Sequence, residues 1–104
     1  MPTQNQPFAI HLLPGWNLVG NPFLKPVTWS LTAISVQEAG QPAKALKDAR
    51  DAVCDYAWGW DSSTSNYYLV CDPSVVPSAK GTLDPWLGYW IRAKKACDLI
   101  LPAP

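Results

Sequence analysis

Charge is scarce in this chain: eight basic and eight acidic side chains among 104 residues cancel to a net charge of zero. A nucleic-acid partner gripped by phosphate neutralisation requires a basic stripe, and the sequence has none. The same lack argues against attraction to an anionic membrane surface. No apolar run approaches the roughly 20 residues that cross a bilayer, so membrane insertion is not expected. The opening MPTQNQPFAI has no basic segment leading into an apolar stretch, and no signal peptide is expected there. Histidine occurs once, as His11, and Cys54, Cys71 and Cys97 have no CxxC spacing. That removes the usual zinc arrangements, and neither a metal nor any other cofactor is expected. Six glycines against eleven prolines point to short segments with stiff connections rather than long helices.

What the chain has instead is tryptophan. Six indoles fall mostly into the phrases PGWNLVGNP, AWGWD and LDPWLGYW, in a composition that is 48% hydrophobic. Indole both fills small cores and stacks on ligands, so the functional question is which rings face inward. The length suits one domain with one core. Residues 8–102 read as the module, 1–7 as an N-terminal tail or linker and 103–104 as a C-terminal linker. A piece of a longer polypeptide is expected, acting as a monomer.

The segmentation is that of a β protein. Phe8 to Leu12 and Trp16 to Val19 flank Pro14-Gly15 and read as an opening hairpin, which Asn21-Pro22 closes. A short strand is expected near Ile34, ending at a turn at Gly40. Pro42 to Val53 is the one good helix candidate, with Ala45, Leu46, Ala49, Ala52 and Val53 in an apolar stripe. Lys44 with Asp48, and Lys47 with Asp51, would pair one turn apart on its other side. Tyr56 to Trp60 alternates with period two, Asp61 to Asn66 is a turn cluster, and Tyr67 to Cys71 returns as a strand. Pairing Asp61 with Asn66 puts Tyr56, Trp58 and Trp60 on one face with Tyr67, Leu69 and Cys71. Pro73 to Lys80 reads as irregular. Gly88 to Ala93 and Cys97 to Leu101 read as a final hairpin turning at Lys94-Lys95-Ala96. The expected fold is mainly β: a compact sandwich or partly open barrel of about six or seven short antiparallel strands, with one short helix over about 42–53 docked on it.

Six indoles exceed what a thin core absorbs, so some rings should show an edge. Trp29 and Trp86, beside prolines or in turns, are the expected exposed pair. Trp58 and Trp60 have two readings: a face packed on the helix or opposing sheet, or a stacking surface for sugars with Asp61 and Asn66 binding hydroxyls. Trp16 and Trp90 read as structural, and Gly88 as a place where a bulky neighbour crosses the backbone. His11 lacks a nucleophile and an orienting carboxylate in the sequence pattern and reads as solvent-facing or hydrogen-bonded, so no catalytic residue is assigned. Asp61 and Asp72 are expected to cap the hairpin ends. A calcium loop from Asp61, Ser62, Thr64 and Asn66 would lack a distal glutamate and the EF-hand glycine. Cys54 and Cys71 flank the hairpin; a cross-strand disulfide and small buried thiols are both compatible with that spacing.

Three phrases taken in order, GWNLVGNPF, AWGWDSSTSNYYLV and LDPWLGYWIRAKKACDLILP, resemble a small β-rich module of bacterial secreted and surface multidomain proteins. Its pattern is GWNL(I/V)xNP near the start, (W/Y)xWD or (W/Y)xYD in the middle, and LxPWxGYWV with an LxxP strand at the end. The resemblance covers roughly residues 10–102, and the last motif is the most specific. It implies an extracytoplasmic location beside adhesion-like or carbohydrate-active domains, whose neighbours in the same chain would be its partners. The cysteines are not part of that pattern. The implied role is a non-catalytic accessory module, a structural spacer or protein-interaction domain; the alternative is a carbohydrate-binding module that presents exposed Trp and Tyr rings to polysaccharide or cell-surface components.

Overall fold

In a computed structural model, which describes residues 6–85 and 87–103, the described residues form ten short strands: β1 Phe8–Leu12, β2 Gly15–Gly20, β3 Val27–Thr28, β4 Ser35–Gln37, β5 Lys44–Ala45, β6 Ala57–Asp61, β7 Asn66–Val70, β8 Thr82–Leu83, β9 Gly88–Ala93 and β10 Cys97–Leu101. One sheet has the order β1-β10-β4-β5 and a second β2-β9-β6-β7, with β3-β8 as a separate ribbon. All these pairings are antiparallel. The fold is mainly β and sandwich-like, with no closed barrel among the described residues.

Neither terminal hairpin forms. β1 pairs with β10 from Phe8 opposite Leu101 to Leu12 opposite Cys97, while β2 pairs with β9 from Gly15 opposite Ala93 to Gly20 opposite Gly88. The two chain ends therefore make one long antiparallel ribbon that folds over from the first sheet into the second. Leu13 and Pro14 turn the corner on one arm, and Lys94, Lys95 and Ala96 on the other. The extra residue on the second arm bends the ribbon as a bulge does. Asn17 stitches the inner corner: its Oδ1 accepts from the Leu13 N–H at 3.1 Å, and its Nδ2 donates to the Leu13 carbonyl at 2.9 Å and the Gly15 carbonyl at 3.1 Å. Gly15 has a φ of 104°, which favours glycine at this turn.

The expected helix is also absent. β5 and a 3-10 turn over Leu46–Asp48 take its place. Leu46, Ala49 and Ala52 recur every third residue, the 3-10 period, and the bonds from Ala49 N–H to the Leu46 carbonyl (3.0 Å) and Ala52 N–H to the Ala49 carbonyl (2.9 Å) follow it. All three side chains and Val53 are buried, so the apolar stripe docks without an α-helix. Lys44 consequently reaches Glu38 (3.8 Å) and Asp51 (3.7 Å), and Lys95 reaches the same two acids, in place of the one-turn helical pairs.

The middle of the chain forms as its alternation indicates. β6 and β7 pair with Asp61 opposite Asn66, Trp60 opposite Tyr67 and Trp58 opposite Leu69. Gly59 lies under the Tyr68 ring, where an added Cβ would come within 2.2 Å of it. The core is one cluster that both sheets share, from Leu12, Val36, Leu99 and Leu101 on one side to Val19, Ala57, Val70 and Ile91 on the other. Ala103, next to the C-terminus, packs against it.

Two polar side chains lock loops to this core. Asn21, 8% exposed, donates from Nδ2 to the Lys25 and Leu83 carbonyls, both at 2.9 Å, and accepts from the Phe23 N–H at 2.8 Å. Asp72 accepts from the Leu31 N–H at 3.0 Å and from the Ser74 N–H and hydroxyl at 2.9 and 2.7 Å. The Leu31 N–H, followed by Ser74, holds the Asp72 carboxyl below the usual carboxylate range. That contribution to stability is present above the unfolded carboxylate pKa and is lost as pH falls through the lowered folded value.

The three cysteines are free thiols: Cys71 and Cys97 are buried and Cys54 is half-buried. Burial, first among the causes, pushes both the Cys71 and Cys97 thiols up, which makes them poor nucleophiles at neutral pH. Titration with an aromatic disulfide reagent is expected to find three thiols in denaturant, with Cys54 reacting first in native protein. A single reactive thiol in denaturant would show that a bridge forms after all.

Candidate aromatic binding face

The second sheet has two apolar faces. Alternation sends Val19, Tyr89, Ile91 and Ala57 into the core and turns Trp16, Leu18, Trp90, Trp58 and Trp60 the other way. The outward set lies in register across the strands: Leu18 opposite Trp90, Trp90 opposite Trp58, Trp58 opposite Leu69 and Trp60 opposite Tyr67. Directly opposed side chains on one face sit about 4.5–5.5 Å apart at Cβ, so these rings are neighbours. Trp60 and Tyr67 meet edge to face with centroids 4.9 Å apart, and Tyr56 meets Trp58 in the same way at 6.1 Å.

This face is open to water. Trp16 is 55% exposed, Trp60 48%, Tyr67 57% and Trp90 36%, while Trp58 is half-buried between its neighbours. Trp16, Trp58, Tyr67 and Trp90 line an open cavity of about 550 Å³. Beyond the Trp60–Tyr67 pair lies a second open cavity of about 670 Å³, whose lining includes Trp60, Asp61, Ser62, Tyr68, Ser78 and Lys80. The first groove is walled by aromatic rings, the second by one indole and several polar groups.

The residues singled out from sequence fall differently from expectation. Trp29 is fully buried and donates its indole N–H to the Asp55 carbonyl at 2.9 Å, so it is a core residue. Its neighbours Val27 and Leu31 are buried and Thr28 is exposed, a period-two signal that the reading from adjacent prolines overlooked. Trp86 lies outside the described residues. Trp16 and Trp90, read as structural, are exposed; Trp60 is also exposed, and Trp58 is half-buried. Gly88 does sit where a neighbour crosses, 3.2 Å from a Leu18 methyl to an added Cβ. Leu18 and Arg92 join the face without having been singled out, while Tyr67 lies there as the expected hairpin register places it.

Asp61 and Asn66 close the β6–β7 turn. The Ser63 hydroxyl and N–H donate to Asp61 Oδ1 at 2.6 and 2.9 Å, and hold its carboxyl below the usual range. Asn66 donates to the Thr64 carbonyl at 3.2 Å. With Asp61 Oδ1 held by both Ser63 donors, this hexapeptide is an Asx-type turn. Among the described residues no three His, Cys, Asp or Glu side chains gather in a way that could hold a metal ion. His11 is exposed on the first sheet and hydrogen-bonds through Nδ1 to its cross-strand partner Asp98 at 2.9 Å. No helix of the described residues is long and apolar enough to cross a membrane. Comparison with family models, curated proteins and solved structures finds no match for this chain.

Proposed function

We propose that this chain is a non-catalytic accessory module of a bacterial extracytoplasmic multidomain protein, and that it binds polysaccharide on the outer face of its second sheet. The observation that carries the reading is the row of rings, Trp16, Trp90, Trp58, Trp60 and Tyr67, set side by side on four adjacent strands, all exposed except the half-buried Trp58. A pyranose ring has an apolar C–H face that stacks on an indole while its hydroxyls stay in water. Rings in cross-strand register offer several such contacts in series, and a rigid sheet holds them without ordering cost. The mixed groove past Trp60, with Asp61, Ser62 and Ser78 in its wall, adds hydrogen-bonding groups at one end. A spacer gains nothing from such a surface, because exposed contiguous aromatics invite aggregation. The resemblance of the tryptophan phrases to a module of surface and secreted proteins supplies the setting.

The test is a titration of the protein with soluble hydroxyethylcellulose and with polygalacturonate, followed by tryptophan emission. A saturable change with at least one of them is expected. Unchanged emission with both, together with no retention on insoluble polysaccharide, would overturn the reading.

A further inference from the structure

Among the described residues, the aromatic face carries one cation and no acid. Arg92 is the outward residue of β9 two positions beyond Trp90, and its cross-strand partner on β2 is Trp16. It is exposed, and among the described residues its guanidinium makes neither a hydrogen bond nor an ion pair. The other outward side chains along the four strands are aromatic or aliphatic. Of the other cations, Arg50 pairs with Asp55 at 2.8 Å, Lys80 with Asp84, and Lys44 and Lys95 with Glu38 and Asp51. Lys94 donates to the Arg50 carbonyl at 2.8 Å. Lys25 and Lys47 form no ion pair among the described residues, but both lie outside the four strands of this face. Lys80, in the neighbouring polar groove, is thus neutralised, and the positive potential of the face is concentrated at Arg92.

An exposed arginine beside stacking rings has a specific complement. Its planar fork donates two parallel hydrogen bonds to a carboxylate. Resting on the polysaccharide-binding reading, we propose that the ligand is an acidic polysaccharide built from carboxylated sugars, each stacked on the indoles while a carboxylate pairs with Arg92. A sugar acid meets both requirements in one residue: an apolar ring face for Trp16 or Trp90 and a carboxylate for the Arg92 guanidinium. A charge placed only to keep the face soluble would not discriminate between ligands.

The experiment compares polygalacturonate with its methyl-esterified form, the same backbone without the negative charge, by calorimetric titration of wild type and Arg92→Gln. Wild type should bind the acid at least about fivefold more tightly than the ester, with the difference shrinking as salt is raised. Arg92→Gln should bind both forms equally, at the strength wild type shows for the ester. Equal binding of acid and ester by wild type, or a preference retained in Arg92→Gln, would overturn the assignment of Arg92. Binding of hydroxyethylcellulose but not of polygalacturonate would overturn this inference and leave the polysaccharide reading standing. Failure of every polysaccharide to bind would overturn both.

Discussion

Replacing Trp29 by alanine is expected to destabilise the domain by about 3–5 kcal/mol, the range for truncating a fully buried aromatic. The ring has no exposed surface and lies in the common core, so its removal leaves a buried cavity rather than a site open to water. The loss also strands the Asp55 carbonyl, which now accepts the indole N–H at 2.9 Å. Since small domains have only about 5–15 kcal/mol in total, the variant should be partly unfolded near physiological temperature. Trp29→Phe separates the contributions: it keeps most of the volume, loses the hydrogen bond and should cost about 1–3 kcal/mol. Urea unfolding followed by circular dichroism measures both. A loss below about 1 kcal/mol for the alanine variant would mean that the ring is not in the core.

The opposite behaviour is expected at Trp58 and Trp90. They are cross-strand partners at the centre of the open face, and neither closes a cavity in the core. Alanine at either position should change stability by about 1 kcal/mol, in the range of ordinary partly exposed substitutions. Binding of polysaccharide should fall by about tenfold or more for each, because central aromatic anchors dominate contact energies. The two losses should not add, since each ring supports the other. Retention assays with matched urea curves make the comparison. Wild-type binding by folded Trp58→Ala and Trp90→Ala would remove these rings from the site.

What could be read from the sequence follows from how local each signal is. The β6–β7 hairpin was legible because its turn cluster and its alternation lie within fifteen residues of chain, and the register Asp61 to Asn66 follows from them. The end strands were not. Pro14-Gly15 and Lys94-Lys95-Ala96 look like hairpin turns, but each is a corner between sheets, and the true partner of each arm lies about eighty residues away. Nothing local distinguishes those cases. The segment 42–53 has an apolar stripe that fits the 3-10 and α periods alike, and a stretch so short forms an α-helix only if packing demands one. Trp16 and Trp90 were misassigned for a different reason. Around Trp90 both alternating sets are apolar, as in Tyr89-Trp90-Ile91, and beside Trp16 the polar Asn17 belongs to the inner set with Val19, so period two identifies a strand without saying which face meets water. Arg92 breaks that symmetry, and it is the sequence signal that could have marked the outer face.

The central claim is that the indoles divide by face, one set holding the fold and the other meeting a ligand. The indole N–H resonances of nitrogen-labelled protein test this directly, read while polygalacturonate and then hydroxyethylcellulose are added. Signals of Trp16, Trp58, Trp60 and Trp90 should shift together and saturate at one concentration, while that of Trp29 stays fixed. Shifts confined to Trp29, or no shift in any of the four with either polymer, would contradict the account.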